Sequence, residues 1–120
     1  MKMREVVINR CHGGFGLSHE ATMLYSELAK LNLKPVEGEH FKFIGYDYYI
    51  DGIVGDEYYW YDRSIKRDDP DLVSVVRKLG DKANSRFAEL GVVEIPGDVE
   101  WEIHDYDGME WVAEKHRTWS

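Results

Sequence analysis

Arg10, Cys11 and His12 stand side by side at the end of the β-branched run Val6-Val7-Ile8, and Gly13, Gly14, Gly16 and Ser18 follow at once. A thiol beside a helix N-terminus has a lowered pKa and serves as a nucleophile. An imidazole is a general base near neutral pH, and a guanidinium clamps an anion with two parallel hydrogen bonds. Backbone N–H groups opened by glycine at a helix N-terminus favour negative charge. If the chain is an enzyme, Arg10, Cys11 and His12 are its catalytic set, acting on a phosphate- or nucleotide-containing substrate. If it captures a small anion or a nucleotide, Arg10, Gly13, Gly14, Gly16 and Ser18 are the ligand residues. Each reading has a plain counterpart. Neighbours on a strand point to opposite faces, which separates Cys11 from His12, and a lone cysteine is commonly a small buried hydrophobe. Three glycines within four residues serve equally a tight connection with Phe15 tucked into the core. Neither a Walker A ending nor a dinucleotide fingerprint is present, so the balance leans away from an enzyme, and no cofactor is expected.

A second constellation is aromatic. Tyr58, Tyr59, Trp60 and Tyr61 run together, with Tyr46, Tyr48 and Tyr49 upstream, and Asp47, Asp51, Asp56, Glu57 and Asp62 are interleaved. Tyr and Trp suit surfaces where one end of the ring is buried and the other wet, and they anchor interfaces. They also stack nucleobases, but binding to long nucleic acid calls for basic interleaving, and here it is acidic. A protein interface over Tyr58, Tyr59, Trp60 and Tyr61, self-association included, is the preferred reading. Ordinary sheet packing and a small stacked nucleotide remain beside it. Trp119 lies beyond the cationic Lys115-His116-Arg117 and is a further interface candidate. The five histidines are scattered and form no metal-binding spacing. In Arg67-Asp68-Asp69-Pro70-Asp71 the carboxylates read as helix capping rather than a calcium loop. Glu100, Glu102, Asp105 and Asp107 alternate with Trp101 and Ile103 and read as a solvated strand face.

The elements that must position these residues follow from periodicity. Residues 4–10 form a first strand, and Ser18 caps a helix over 18–31 with Ala21, Leu24, Leu28 and Leu31 on one face and Asn32 closing it. Lys34 to His40 read as turn-like and Phe41 to Ile44 as a short strand. Tyr46, Tyr48 and Ile50 alternate as another strand, broken by Asp51-Gly52. Tyr58 to Tyr61 are strand or aromatic loop. Asp69 caps a helix beginning at Pro70, with Leu72, Val73, Val76 and Leu79 on one face. After Gly80 a further turn carries Ala83, Phe87 and Leu90, so helical structure is expected across 70–90. Val92 to Ile95 is a strand. Residues 100–114 form a hairpin turning at Asp107-Gly108, with Trp101 and Ile103 inward on one strand and Met109, Trp111 and Ala113 opposed to Glu110, Val112 and Glu114 on the other.

At 120 residues the chain is expected to be a single domain over 1–120. The pattern is too poor in strand–helix alternation for a doubly wound sheet and predicts an α+β fold, a mostly antiparallel sheet packed against two helices. No apolar run is long enough for a membrane helix, and Met1-Lys2-Met3-Arg4-Glu5 passes directly into a strand without a signal-peptide core. One cysteine excludes an internal disulfide and fits a reducing compartment, so a cytoplasmic location, in the cell or an infected host, is expected. A formal net charge of -8 argues against non-specific nucleic-acid binding.

Two stretches, Val7-Ile8-Asn9-Arg10-Cys11-His12-Gly13-Gly14-Phe15-Gly16-Leu17-Ser18 and Tyr106-Asp107-Gly108-Met109-Glu110-Trp111-Val112, together resemble a family of small proteins encoded in tailed phages and prophages. Arg67-Asp68-Asp69-Pro70-Asp71-Leu72 and Gly80-Asp81-Lys82-Ala83-Asn84 belong to the same resemblance, which covers most of the chain except roughly 35–62. The resemblance implies a phage or prophage accessory protein; it brings no activity with it and assigns a role to no residue. The combined expectation is a small acidic accessory protein that acts by binding a protein partner or a second copy of itself. Capture of a small anion at 10–18 is the strongest competitor, and a Cys/His-dependent enzyme comes third.

Overall fold

Val6, Val7 and Ile8 are buried at the centre of β1 (Met3–Asn9). Their strand is paired antiparallel along its whole length with β5 (Leu90–Pro96), from Met3 opposite Pro96 to Asn9 opposite Leu90. The structure is a computed structural model, and it describes residues 3–37 and 46–115. The strand expected at Phe41 to Ile44, the tail from His116 and Trp119 lie outside the described residues.

Ser18 caps α1 (His19–Ala29): its backbone is extended and its hydroxyl accepts from the Ala21 N–H. The helix closes at Lys30 in the left-handed region, φ 58°, two residues before the expected Asn32, which is itself left-handed. The buried face is also rotated from the expected one. Ala21, Thr22, Tyr25 and Ser26 point inward, Leu28 is exposed, and Leu24 and Leu31 pack only partly. The polar atoms on that face have partners, which is why it can be buried. The Tyr25 hydroxyl donates to Asp69 Oδ2 at 2.8 Å, Ser26 Oγ accepts from the Leu33 N–H at 2.8 Å, and Thr22 Oγ1 donates to the Ser18 carbonyl at 2.9 Å.

In α2 (Pro70–Leu79), Asp69 Oδ1 caps the Asp71 N–H while its other oxygen holds Tyr25, so one carboxylate starts α2 and ties it to α1. Leu72, Val73, Val75 and Val76 are buried. Helical structure does not continue to 90. Gly80 takes φ 57° and ends the α-helix, a 3-10 turn covers Gly80–Ala83, Phe87 is exposed, and Leu90 already opens β5. Of the apolar residues that the helical spacing had suggested, Leu90 is claimed by strand pairing with β1.

The segment expected to be turn-like at Lys34 to His40 is instead strand over β2 (Leu33–Glu37), with 38–40 outside the described residues. β2 pairs with β3 (Tyr46–Ile50), which pairs with the short β4 (Tyr59–Trp60). Pro35 hides this strand in the sequence and is tolerated because β2 is an edge. In β6 (Trp101–Tyr106) and β7 (Met109–Glu114) the hairpin turns at Asp107 and Gly108, with φ 52° and 90° as a two-residue type I′ connection requires. Its inner face differs from expectation: Glu110 and Val112 point inward with Ile103, while Met109 and Trp111 are exposed. Among the described residues all pairings are antiparallel, but they form three small sheets, β1-β5, β2-β3-β4 and β6-β7, rather than one. The fold is α+β, antiparallel sheets packed against two helices. Among the described residues no helix is long and apolar enough to cross a membrane.

Candidate functional site

The glycine loop is the joint where the hairpin meets the rest of the fold. Asn9 is fully buried at its start. Asn9 Nδ2 donates to the Cys11 carbonyl at 2.7 Å and the Gly108 carbonyl at 2.8 Å, and Oδ1 accepts from the Glu89 N–H at 2.7 Å. The Asn9 N–H donates to Glu110 Oε1, whose carboxylate also takes a two-pronged ion pair from Arg67 at 2.6 and 2.9 Å. The Arg67 guanidinium lies 3.7 Å above the Phe15 ring, which is in the core. A Cβ on Gly13 would collide with the Phe87 carbonyl, so close backbone approach explains that glycine, whereas Gly14 needs φ 94°.

The residues proposed for chemistry diverge within this joint. Cys11 Sγ faces the Phe87 carbonyl at 3.0 Å, and His12 Nδ1 lies 3.3 Å from the Tyr106 carbonyl. Arg10 lies along β5 against Gly91, with Nη2 3.5 Å from the Val92 carbonyl. Beside α1, the Leu17 N–H donates to Asp62 Oδ2 at 2.8 Å and the Ser18 N–H to the Ala83 carbonyl at 2.9 Å. A carboxylate of the chain itself thus takes the Leu17 amide, and a backbone carbonyl takes that of Ser18. Gly16 packs against Ser85. Among the described residues no three His, Cys, Asp or Glu side chains gather as a metal would require.

Where α1 begins, next to the small sheet, a cleft of about 520 Å³ opens. The rings of Tyr46, Tyr48, Tyr59, Trp60 and Tyr61 line it together with Asp47 and Asp62, and the rim adds His19, Ser85 and Arg86. The alternation of β3 builds it: Tyr46 and Tyr48 face α1, where His19 lies tilted against Tyr46 at 4.7 Å and stacked on Tyr48 at 5.9 Å. His19 Nδ1 is hydrogen-bonded to the Tyr48 hydroxyl at 2.9 Å. Trp60 stacks on Tyr25 at 5.9 Å and meets Tyr48 edge-on. Tyr59 stacks between the edge of Tyr49 and the face of Tyr61. Of the four residues expected as an interface, Tyr59 and Tyr61 are about half exposed, at 47% and 52%, as is Tyr46 at 48%. Trp60 is half-buried and anchors the wall, and Tyr58 is half-buried in the turn before β4. Sequence reasoning missed His19, Asn84, Ser85 and Arg86 as cleft residues, because they come from elements that only the fold brings beside the band.

The same burial perturbs the phenols. Burial pushes the Tyr48 hydroxyl up to about 12, helped by the Asp62 charge and opposed by a hydrogen bond with Thr22. Tyr25 is raised further, again chiefly by burial and then by its bond to Asp69, and Tyr59 is raised by burial and by Asp47. In the unfolded chain a tyrosine releases its proton near 10.0, whereas folded Tyr48 holds it to about 12. Across that window the unfolded state binds fewer protons, so stability is flat below it and falls as pH rises through it. The urea midpoint is expected to drop over this interval, in step with late phenolate absorbance, and Tyr48→Phe to shallow the drop. A midpoint independent of pH there would contradict the burial of these phenols.

No protein-family model matches the chain, and no curated protein and no solved structure matches it at a significant level.

Proposed function

We propose that the chain is a small acidic accessory protein of the phage or prophage type, working in the cytoplasm of a cell or infected host by binding a protein partner. The observation that carries this reading is the surface over 46–62. Tyr46, Tyr59 and Tyr61 present about half of their area to solvent within a stretch holding five carboxylates and no Lys, Arg or His. Half-wet tyrosines are good interface anchors because they bring large rigid area at low entropic cost. The negative charge of this stretch steers association toward a basic surface and disfavours pairing of the stretch with its own copy.

In native mass spectrometry of protein recovered from its own host, a retained partner mass is expected. Tyr59→Ala/Tyr61→Ala, or Asp56→Lys/Glu57→Lys, is expected to remove that mass while leaving the melting temperature within a few degrees. Arg10→Ala is expected to retain it. Loss with Arg10→Ala and retention in the aromatic variants would reverse the assignment and return the function to the 10–18 loop.

A further inference from the structure

The aromatic face has a recess as well as a surface, and the recess has its own chemistry. Its walls are π-faces; Asp47 and Asp62 both line it, Asp62 on the α1 side and Asp47 on the Tyr59 side, and both charges reach the Tyr59 phenol. Aromatic rings attract cations through their quadrupole. Guanidinium suits such a site better than ammonium: it is planar, weakly hydrated, stacks on rings and forks toward carboxylates. Against it stand the basic groups at the rim. His19 is occupied by its hydrogen bond and stacking with Tyr48. Arg86 lines the cleft too, but its guanidinium is engaged with the Phe87 ring, 5.3 Å from its centre. Asp62 spends one oxygen on the Leu17 N–H, which fixes the carboxylate without neutralising it.

Resting on the partner-binding reading above, we infer that the cleft seats an arginine side chain presented by a basic segment of the partner. The guanidinium would lie against the aromatic wall with its donors toward Asp47 and Asp62. Charge complementarity carries the choice, since the adjoining turn adds the carboxylates Asp51, Asp56 and Glu57, which outnumber the Lys34 side chain packed against it at Gly52. The about 520 Å³ of the recess accommodates one long side chain with part of its backbone.

The test is an NMR titration of the full chain with three soluble probes: an Arg-Gly-Gly repeat peptide, the same peptide with citrulline for arginine, and AMP. The arginine peptide is expected to shift the Trp60 indole N–H and the amides of Asp47 and Tyr61, and the isosteric but uncharged citrulline peptide to leave them in place. Asp47→Asn and Tyr61→Leu are each expected to weaken arginine-peptide binding roughly tenfold, with otherwise unchanged spectra showing that they fold. Equal shifts from the citrulline peptide would overturn the inference, as would no shift at millimolar arginine peptide. Binding of AMP with loss in Arg86→Ala would replace it with a stacked nucleotide. The two proposals fail separately. If the peptide leaves the cleft untouched while the Tyr59/Tyr61 variant still loses the partner mass, only the arginine seat falls. If that variant keeps the partner mass, the partner-binding reading falls whatever the peptide does.

Discussion

Replacing Arg67 with Met is expected to cost about 3–5 kcal/mol, the usual penalty for stranding one member of a buried ion pair. Glu110 and Arg67 keep only 11% and 17% of their side chains exposed. Without Arg67 the carboxylate retains a single described donor, the Asn9 N–H. Arg67→Lys is also expected to destabilise, because an ammonium can neither fork to both carboxylate oxygens nor lie flat on Phe15. In thermal unfolding the Arg67→Met loss corresponds to a fall of roughly 10–20 °C for a domain of this size. The double variant Arg67→Met/Glu110→Leu is expected to recover a large part of it, since a well-packed apolar pair often replaces a buried ion pair at little cost. A single-variant loss below about 1 kcal/mol, the range of exposed pairs, would show that water reaches this pair.

Asn9 is the second sensitive point. Asn9→Leu is expected to cost at least about 3 kcal/mol, because it removes the partners of two carbonyls and one N–H at once. Asn9→Asp separates shape from hydrogen-bond polarity. It keeps an acceptor for the Glu89 N–H, but sets a buried carboxylate against the Cys11 and Gly108 carbonyls and near Glu110. It is expected to be no less damaging than Leu, with hydrogen exchange accelerated at Glu89 and across the hairpin tip. Native-like stability in Asn9→Asp would mean that the two donated bonds contribute little.

The regular elements were legible where a local signal had no competitor. Asp69-Pro70 starts α2, Ser18 caps α1, and Asp107-Gly108 turns the hairpin, all as their chemistry dictates. Failures arose where a distant partner decided. Apolar alternation along Met109, Trp111 and Ala113 pointed to the wrong face of β7, because Arg67, more than forty residues away, makes Glu110 the inward residue. Likewise Tyr25 and Ser26 outrank Leu28 for burial on α1 because Asp69 and Leu33 satisfy their polar atoms. The aromatic band was visible as composition. Its recess was not, since α1 and the turn at 84–86 supply part of the rim. The glycine-rich loop drew attention for its chemistry, and the structure gives its glycines a mechanical reason as well: Phe87 and the hairpin tip press against its backbone.

The bond from the Asn9 N–H to Glu110 spans 101 positions of sequence. A ribosome adds about 5–20 residues per second, so Asn9 is in the chain about 5–20 s before Glu110 is added. Until Leu90–Pro96 have been made, Val6, Val7 and Ile8 have no β5 to cover them, and until Glu110 has been made Arg67 lacks its carboxylate partner. Throughout that delay the nascent chain carries an unpaired, strongly apolar strand. Acquisition of the native fold is deferred until after translation has passed the hairpin.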